Sequence, residues 1–143
     1  MGFRYLSIDT ETTGLDSETC QVLSFAAVLE DTSKPEVSVE DLPNIHMIFR
    51  RDFIKGEPFA LNMNADLIRI IKEGKDPRLT LEMNFEIELL RFLLDNEVNP
   101  EKLKVAGKNF SSFDKKFIEK MQSWDTDRIG FSHRVLDVGS LFV

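Results

Sequence analysis

Tyr5-Leu6-Ser7-Ile8-Asp9-Thr10-Glu11-Thr12-Thr13-Gly14-Leu15 decides the fold class, because it reads as a buried strand that carries two carboxylates at its end. Tyr5, Leu6 and Ile8 make the run from Phe3 to Asp9 apolar, and Thr12-Thr13-Gly14 supplies a turn to end it. Side chains two residues apart in a strand share a face, so Asp9 and Glu11 project together. Two such carboxylates repel when both are ionised, and a cation or a proton between them relieves the cost. Hard divalent ions such as Mg²⁺ and Mn²⁺ suit that role, since they favour oxygen ligands and retain water. The pair alone also describes a solvated turn, so the rest of the chain decides its meaning.

Downstream, Gln21 to Glu30 reads as a second strand, a polar loop holds Lys34-Pro35, and Ile45 to Arg51 reads as a third strand. These short connections carry no helix between the strands, which favours an antiparallel meander. Asn64 to Glu73 and Thr80 to Asn96 carry apolar residues at helical spacing. In the second of these, Leu81, Phe85, Leu89, Phe92 and Leu93 recur every three or four residues and mark a helix face turned to a core. Lys104-Val105-Ala106-Gly107 is a short strand, Ser111 or Ser112 can cap a helix from about Phe113 to Ser123, and Val135-Leu136 centres a last strand. The order β-β-β-α-α-β-α-β implies an α/β fold with a mixed sheet: three antiparallel strands, then strands joined through helices. No repeat, low-complexity segment or linker divides the 143 residues, so 1–143 is expected to be a single domain.

A second chemical motif follows the fourth strand. Gly107-Lys108-Asn109-Phe110-Ser111-Ser112-Phe113-Asp114 places an Asn five residues before an Asp at a helix start. The field of the helix favours a carboxylate there by roughly 0.3–1 kcal/mol, which accounts for Asp114 without any chemistry. Lys108, Lys115 and Lys116 flank it, either as ordinary surface lysines or in reach of substrate phosphates.

The run from Asp9 to Leu15 resembles the first motif of the DEDD exonuclease superfamily, the ribonuclease-H-like group that includes polymerase proofreading domains, ribonuclease T and oligoribonuclease. The Asn109/Asp114 pairing resembles the second motif of that group. The resemblance implies a ribonuclease-H-like fold and 3′–5′ exonuclease activity on the 3′ ends of single-stranded DNA or RNA. It implies that Asp9, Glu11 and Asp114 are catalytic and bind metal, two ions of Mg²⁺ or Mn²⁺. It also implies that Thr12, Thr13, Gly14 and Leu15, together with Asn109, contact the terminal nucleotide, with Leu15 near its base. Two such ions about 3.5–4 Å apart activate a water, orient the scissile phosphate and stabilise the leaving oxygen. In relatives the stretch matching Glu57 to Ile71 lies beneath the substrate, so Asn62, Met63 and Asn64 either face the nucleotide or cap a helix. Dimers are common in the superfamily, so a homodimer is within what the resemblance implies, although no segment specifies one.

The superfamily's third motif, an acidic ligand preceded by a His or Tyr general base, has two readings here. His133-Arg134-Val135-Leu136-Asp137-Val138-Gly139-Ser140-Leu141 offers His133 as base and Asp137 as fourth ligand, but at a separation of four where the His branch has five. The same stretch resembles the superfamily's last core strand, which makes Asp137 a structural residue at a strand end and puts His133 in the preceding loop. On that second reading the domain is C-terminally truncated, binds metal weakly and shows little nuclease activity. A catalytically impaired nucleic-acid-binding or adaptor domain is then the alternative function. An aspartyl phosphohydrolase is a further rival, since Thr13 falls where a D-x-D-x-T pattern has its Thr, but Glu11 stands in place of the second Asp. His46, in the third strand, resembles nothing catalytic and is expected to be exposed or satisfied within the sheet.

Composition bears on partners. A net charge of −7 argues against a general nucleic-acid coat, which needs a broad basic surface, but not against an enzyme that meets phosphates through metal ions. Residues 1–45 hold 9 acids and 2 bases, whereas residues 101–143 hold 6 acids and 8 bases, so the acidity gathers around the first motif. Twelve Phe supply a core. No apolar run approaches the roughly 20 residues needed to span a bilayer, so no membrane partner is expected. Acidic residues interrupt the N-terminus before a signal region could form, and a single cysteine, Cys20, excludes an intramolecular disulfide framework. The chain therefore reads as intracellular and cytoplasmic.

Overall fold

In the computed structural model, which describes residues 2–107 and 110–136, the first motif sits on the central strand of a six-stranded mixed sheet. The strands are β1 (Arg4–Thr12), β2 (Val22–Asp31), β3 (Asn44–Phe49), β4 (Leu79–Thr80), β5 (Leu103–Ala106) and β6 (Phe131–Leu136), in the spatial order β4-β3-β2-β1-β5-β6. β1, β2 and β3 form the expected antiparallel meander, with Asp9 opposite Ala26 and Ala26 opposite His46. β5 and β6 then add in parallel beyond β1, and β4 adds in parallel beyond β3.

Burial along β1 alternates. Leu6, Ile8, Thr10 and Thr12 are buried, and between them Asp9 is exposed and Glu11 half-buried. β1 does not end at Asp9 as its sequence suggests, because Thr10 and Thr12 remain on the buried face and pair with Phe25 and Val22. β-Branched threonines fit such a pleated surface well.

Helices pack on both faces: α1 (Pro58–Met63), α2 (Ala65–Glu73), α3 (Phe85–Asp95) and α4 (Lys115–Glu119). The larger core joins Leu6, Ile8, Phe25 and Phe49 of the sheet to Phe85, Leu89 and Leu93 of α3 and to Phe117 and Ile118 of α4. A smaller core on the other face holds Leu23, Ile48 and Ile71, with Leu67 and Ile68 of α2 against it. Among the described residues no helix is long and apolar enough to cross a membrane.

The structure departs from the local expectations at several further points. The helix expected from Thr80 starts at Phe85, because Leu79 and Thr80 pair with Ile48 and Phe49 as β4 and a short 3₁₀ turn, Glu82–Asn84, follows. Leu81, counted into the helical stripe, is exposed instead. The helix expected from Phe113 opens as a wide π-type turn over Phe110–Asp114 and continues as α4 only to Glu119. Residues 58–63 form a separate helix, α1, with Pro58 pre-setting its first turn. His133 lies within β6 rather than in a loop before it, since parallel pairing with β5 starts at Phe131.

Candidate active site

The carboxyl end of β1 is built so that other segments converge on it. The β5 ladder reaches β1 only at Leu6 and Ser7, after which the chain turns away at Gly107. A Cβ on Gly107 would stand 2.9 Å from the Ile8 carbonyl oxygen, so only glycine permits so close a crossing. Among the described residues the edge of β1 from Asp9 onward has no parallel neighbour, and the turn that carries Asp114 packs beside it.

Asp9 and Glu11 project from one face of the strand, as their spacing requires. Asp114 comes from the π-type turn, is only 5% exposed, and accepts a hydrogen bond at Oδ1 from the Thr10 hydroxyl on the opposite, core-facing side of β1. Charge from neighbouring acids reaches both Glu11 and Asp114. Burial, together with the charges of Asp9 and Glu11, pushes the Asp114 carboxyl up to about 6 even though the Thr10 bond opposes the rise. Burial and then the Asp9 charge push Glu11 up as well. Among the described residues none of the three has an ion-pair partner, and no set of three His, Cys, Asp or Glu side chains is already arranged around a cation position. The donor set nevertheless fits a hard divalent ion: the charges of Asp9 and Glu11 raise the proton affinity of Asp114, and a group of carboxylates with no base among them is chemically short of a cation.

The turn after the strand is tied down by its own backbone. The Thr13 N–H donates to the Gln21 carbonyl at 2.9 Å, the Thr13 carbonyl accepts from the Glu57 N–H at 2.8 Å, and the Thr13 hydroxyl accepts from the Gln21 N–H at 2.8 Å. The Thr12 hydroxyl donates to the Gly14 carbonyl at 2.7 Å, and the Thr12 carbonyl accepts from the Asn64 side chain at 3.1 Å. Thr12 and Thr13 are therefore buried fasteners. Leu15 is 77% exposed, with its N–H donating to Glu57 Oε1 at 3.2 Å. α1 follows Glu57 directly and presents Phe59 and Met63, both strongly exposed. Glu18, in the loop beyond the motif, pairs with Lys120 just past α4. His46 is exposed at the sheet surface with its ring nitrogen 3.2 Å from Arg78, away from these acids. Asn109 and Asp137 lie outside the described residues, and of His133 only the position in β6 is described.

Thr10, Glu57 and Asn64 hold the site together, and the motif alone did not single them out for that work. Pro58 was the one local signal, since a proline opening a helix there fixes where Glu57 must stand. The packing around the turn can be tested at Gly56, where a Cβ would fall 2.2 Å from the Thr13 oxygen and 2.3 Å from its Cβ. Gly56→Ala is expected to lower stability by about 1–3 kcal/mol in thermal unfolding, as the 50–57 loop is forced off the Thr13 turn.

The chain superposes on Escherichia coli exonuclease I. Against the zinc-bound complex of that protein with single-stranded DNA the TM-score is 0.65 at 16% identity, with 97% of this chain and 28% of the other covered. The fold is ribonuclease-H-like. A product-bound structure of exonuclease I gives a TM-score of 0.64 at 16% identity, with 97% and 30% covered. A complex with a dT13 oligonucleotide gives 0.58 at 18% identity, with 81% and 22% covered. The chain thus spans less than a third of the exonuclease I chains it matches, and at this identity the likeness establishes the fold alone. No protein-family model and no curated protein sequence matches the chain.

Proposed function

We propose that this chain is a 3′–5′ exonuclease domain that takes single-stranded DNA or RNA 3′ ends and hydrolyses the terminal phosphodiester with divalent cations, Mg²⁺ or Mn²⁺. The observation that supports this reading is that Asp9 and Glu11 project from the end of the central strand of a ribonuclease-H-like sheet while Asp114, close enough to feel both charges, is bonded to Thr10 between them. The exonuclease I structures with single-stranded DNA and with zinc support the substrate class and the need for a cation.

A bound divalent ion would supply Lewis acidity at the phosphate and a water of lowered pKa. The side chains divide the remaining work. Asp114 is buried and anchored through Thr10, so it gives the site a fixed carboxylate, whereas Asp9 and Glu11 are more open and free to adjust toward it. Leu15, Phe59 and Met63 present exposed apolar surface next to the fastened Thr13 turn, suited to stack or support unpaired bases. The front-loaded acidity of the chain then belongs to the part that grips the cation.

The test is a Mn²⁺ titration followed by an assay on a 3′-labelled oligonucleotide. Mn²⁺-dependent release of mononucleotides is expected, and Asp9→Ala should abolish both release and Mn²⁺ binding without lowering the melting temperature, because Asp9 is exposed. Binding of Mn²⁺ and oligonucleotide with no release would instead select a non-hydrolytic nucleic-acid-binding domain. Absence of Mn²⁺ binding would remove the basis of the proposal.

A further inference from the structure

The residue between the two acids of the first motif is as informative as the acids themselves. Thr10 points away from Asp9 and Glu11, onto the face it shares with Phe25 of the main core, and it is 7% exposed. From there its hydroxyl reaches Asp114, whose sequence position is 104 residues away, and engages one carboxylate oxygen, Oδ1. The Thr10 bond leaves the second oxygen, Oδ2, outside this contact. Among the described residues the parallel ladder on this side of β1 ends at Ser7, ahead of Asp9, Thr10 and Glu11.

We infer that Thr10 is a positioning residue: its hydroxyl fixes Asp114 through one oxygen so that the other is presented to a cation gathered by Asp9 and Glu11. A short hydroxyl in a rigid strand is well placed for this, because β1 is bonded along its length to β2 and cannot drift. A ligand carboxylate held by a hydrogen bond from behind keeps its orientation, and removing such an outer partner typically weakens metal affinity by about 10–100-fold. The alternative, a purely structural bond that satisfies a buried acid, predicts a stability change and no change in affinity. The inference rests on the proposed cation site.

Mn²⁺ binding to Thr10→Val and Thr10→Ser, measured by calorimetry on the metal-free protein with no nucleic acid present, tests it. Thr10→Val keeps the shape of the side chain and removes the donor, and its Mn²⁺ dissociation constant should rise by at least about tenfold. Thr10→Ser restores the donor and should bind within about threefold of the parent. A folded Thr10→Val protein that binds Mn²⁺ as the parent does overturns the inference. Should that variant not fold, the unsubstituted protein carries the test: the Thr10 methyl resonance should shift on Mg²⁺ addition along the same titration curve as the metal-dependent signals of residues 9–11, and an unmoved methyl at saturation overturns it. Asp9→Ala separates the two levels. If it leaves Mn²⁺ binding intact, the cation site itself is wrong. If it abolishes binding while Thr10→Val does not weaken it, only the role of Thr10 falls.

Discussion

Asp114→Asn should raise the melting temperature of the metal-free protein at neutral pH and flatten its pH dependence between about pH 4 and 6. The folded protein holds the Asp114 carboxyl at about 6 against an ordinary value of 3.8, because the group is buried and faces the charges of Asp9 and Glu11. The folded state therefore binds this proton more tightly than the unfolded chain does. With that sign, stability falls as pH rises through the window from 3.8 to about 6, and the full penalty is present above it. A carboxyl displaced this far from its ordinary value costs the folded state on the order of 1–3 kcal/mol once solvent screening is allowed for. Asn keeps an oxygen to accept from Thr10 and carries no charge, so above the window it escapes most of that penalty. The neutral acceptor makes a weaker bond, which trims the gain; at roughly 2–4 °C per kcal/mol for a chain of this size, a rise of about 5 °C is expected in EDTA. The same substitution should weaken Mn²⁺ binding. A carboxylate that lowers the stability of the empty protein and raises affinity for a cation is placed for chemistry rather than for folding. If Asp114→Asn melts below the parent across the whole pH range, Asp114 is a structural acceptor and the cluster loses its most buried member.

How far the sequence anticipated this architecture depended on which force set each element. Asp9 and Glu11 share a face because strand periodicity alone requires it, and β2 and β3 followed from apolar runs joined by short polar loops. The turn after β1 was visible as Thr-Thr-Gly, but not that its threonines would be consumed inward by Gln21, Glu57 and Asn64, since those partners come from distant segments. β4 was hidden for a similar reason: the helical spacing of Leu81, Phe85 and Leu89 drew Thr80 into the helix, and only the presence of β3 alongside gives the backbone of Leu79 and Thr80 a better partner. The π-type turn at Phe110–Asp114 likewise answers to tertiary demands, since it buries Phe110 while bringing Asp114 to Thr10. Local pattern therefore predicted which acids exist and which strand bears two of them. The contacts that orient them arose from pairings between remote parts of the chain.

Phe85→Ala should be the most destabilising single truncation among the changes considered, at about 3–5 kcal/mol by urea unfolding. Phe85 is the first residue of α3 and is fully buried. Its ring meets Phe25 edge-on at 4.9 Å and Phe49 edge-on at 5.6 Å, and stacks near Trp124 at 5.8 Å, while Trp124 stacks in turn on Phe131 of β6 at 5.7 Å. One ring thus joins β2, β3, α3 and the segment leading into β6. Truncation leaves a cavity whose walls are other rigid rings, which collapse poorly, and it removes oriented aromatic contacts worth about 0.5–1.5 kcal/mol each beyond area burial. Against a total stability of about 5–15 kcal/mol for a domain, that is a large share. Phe85→Leu, which keeps most of the volume, should lose clearly less, and the near-ultraviolet signal of Trp124 should weaken in the alanine variant because one of its two stacking partners is gone. The site should feel this only through the folded fraction: Phe25, opposite Thr10 in the β1–β2 ladder, stays anchored by its own strand pairing. Mn²⁺ affinity of the folded Phe85→Ala protein is accordingly expected within about threefold of the parent, in contrast to the loss of at least about tenfold expected for Thr10→Val. A cost under about 1 kcal/mol would show that the rings close over the gap and that this cluster is not the keystone of the larger core. A tenfold loss of affinity would show that the core and the cation site are mechanically coupled through Phe25.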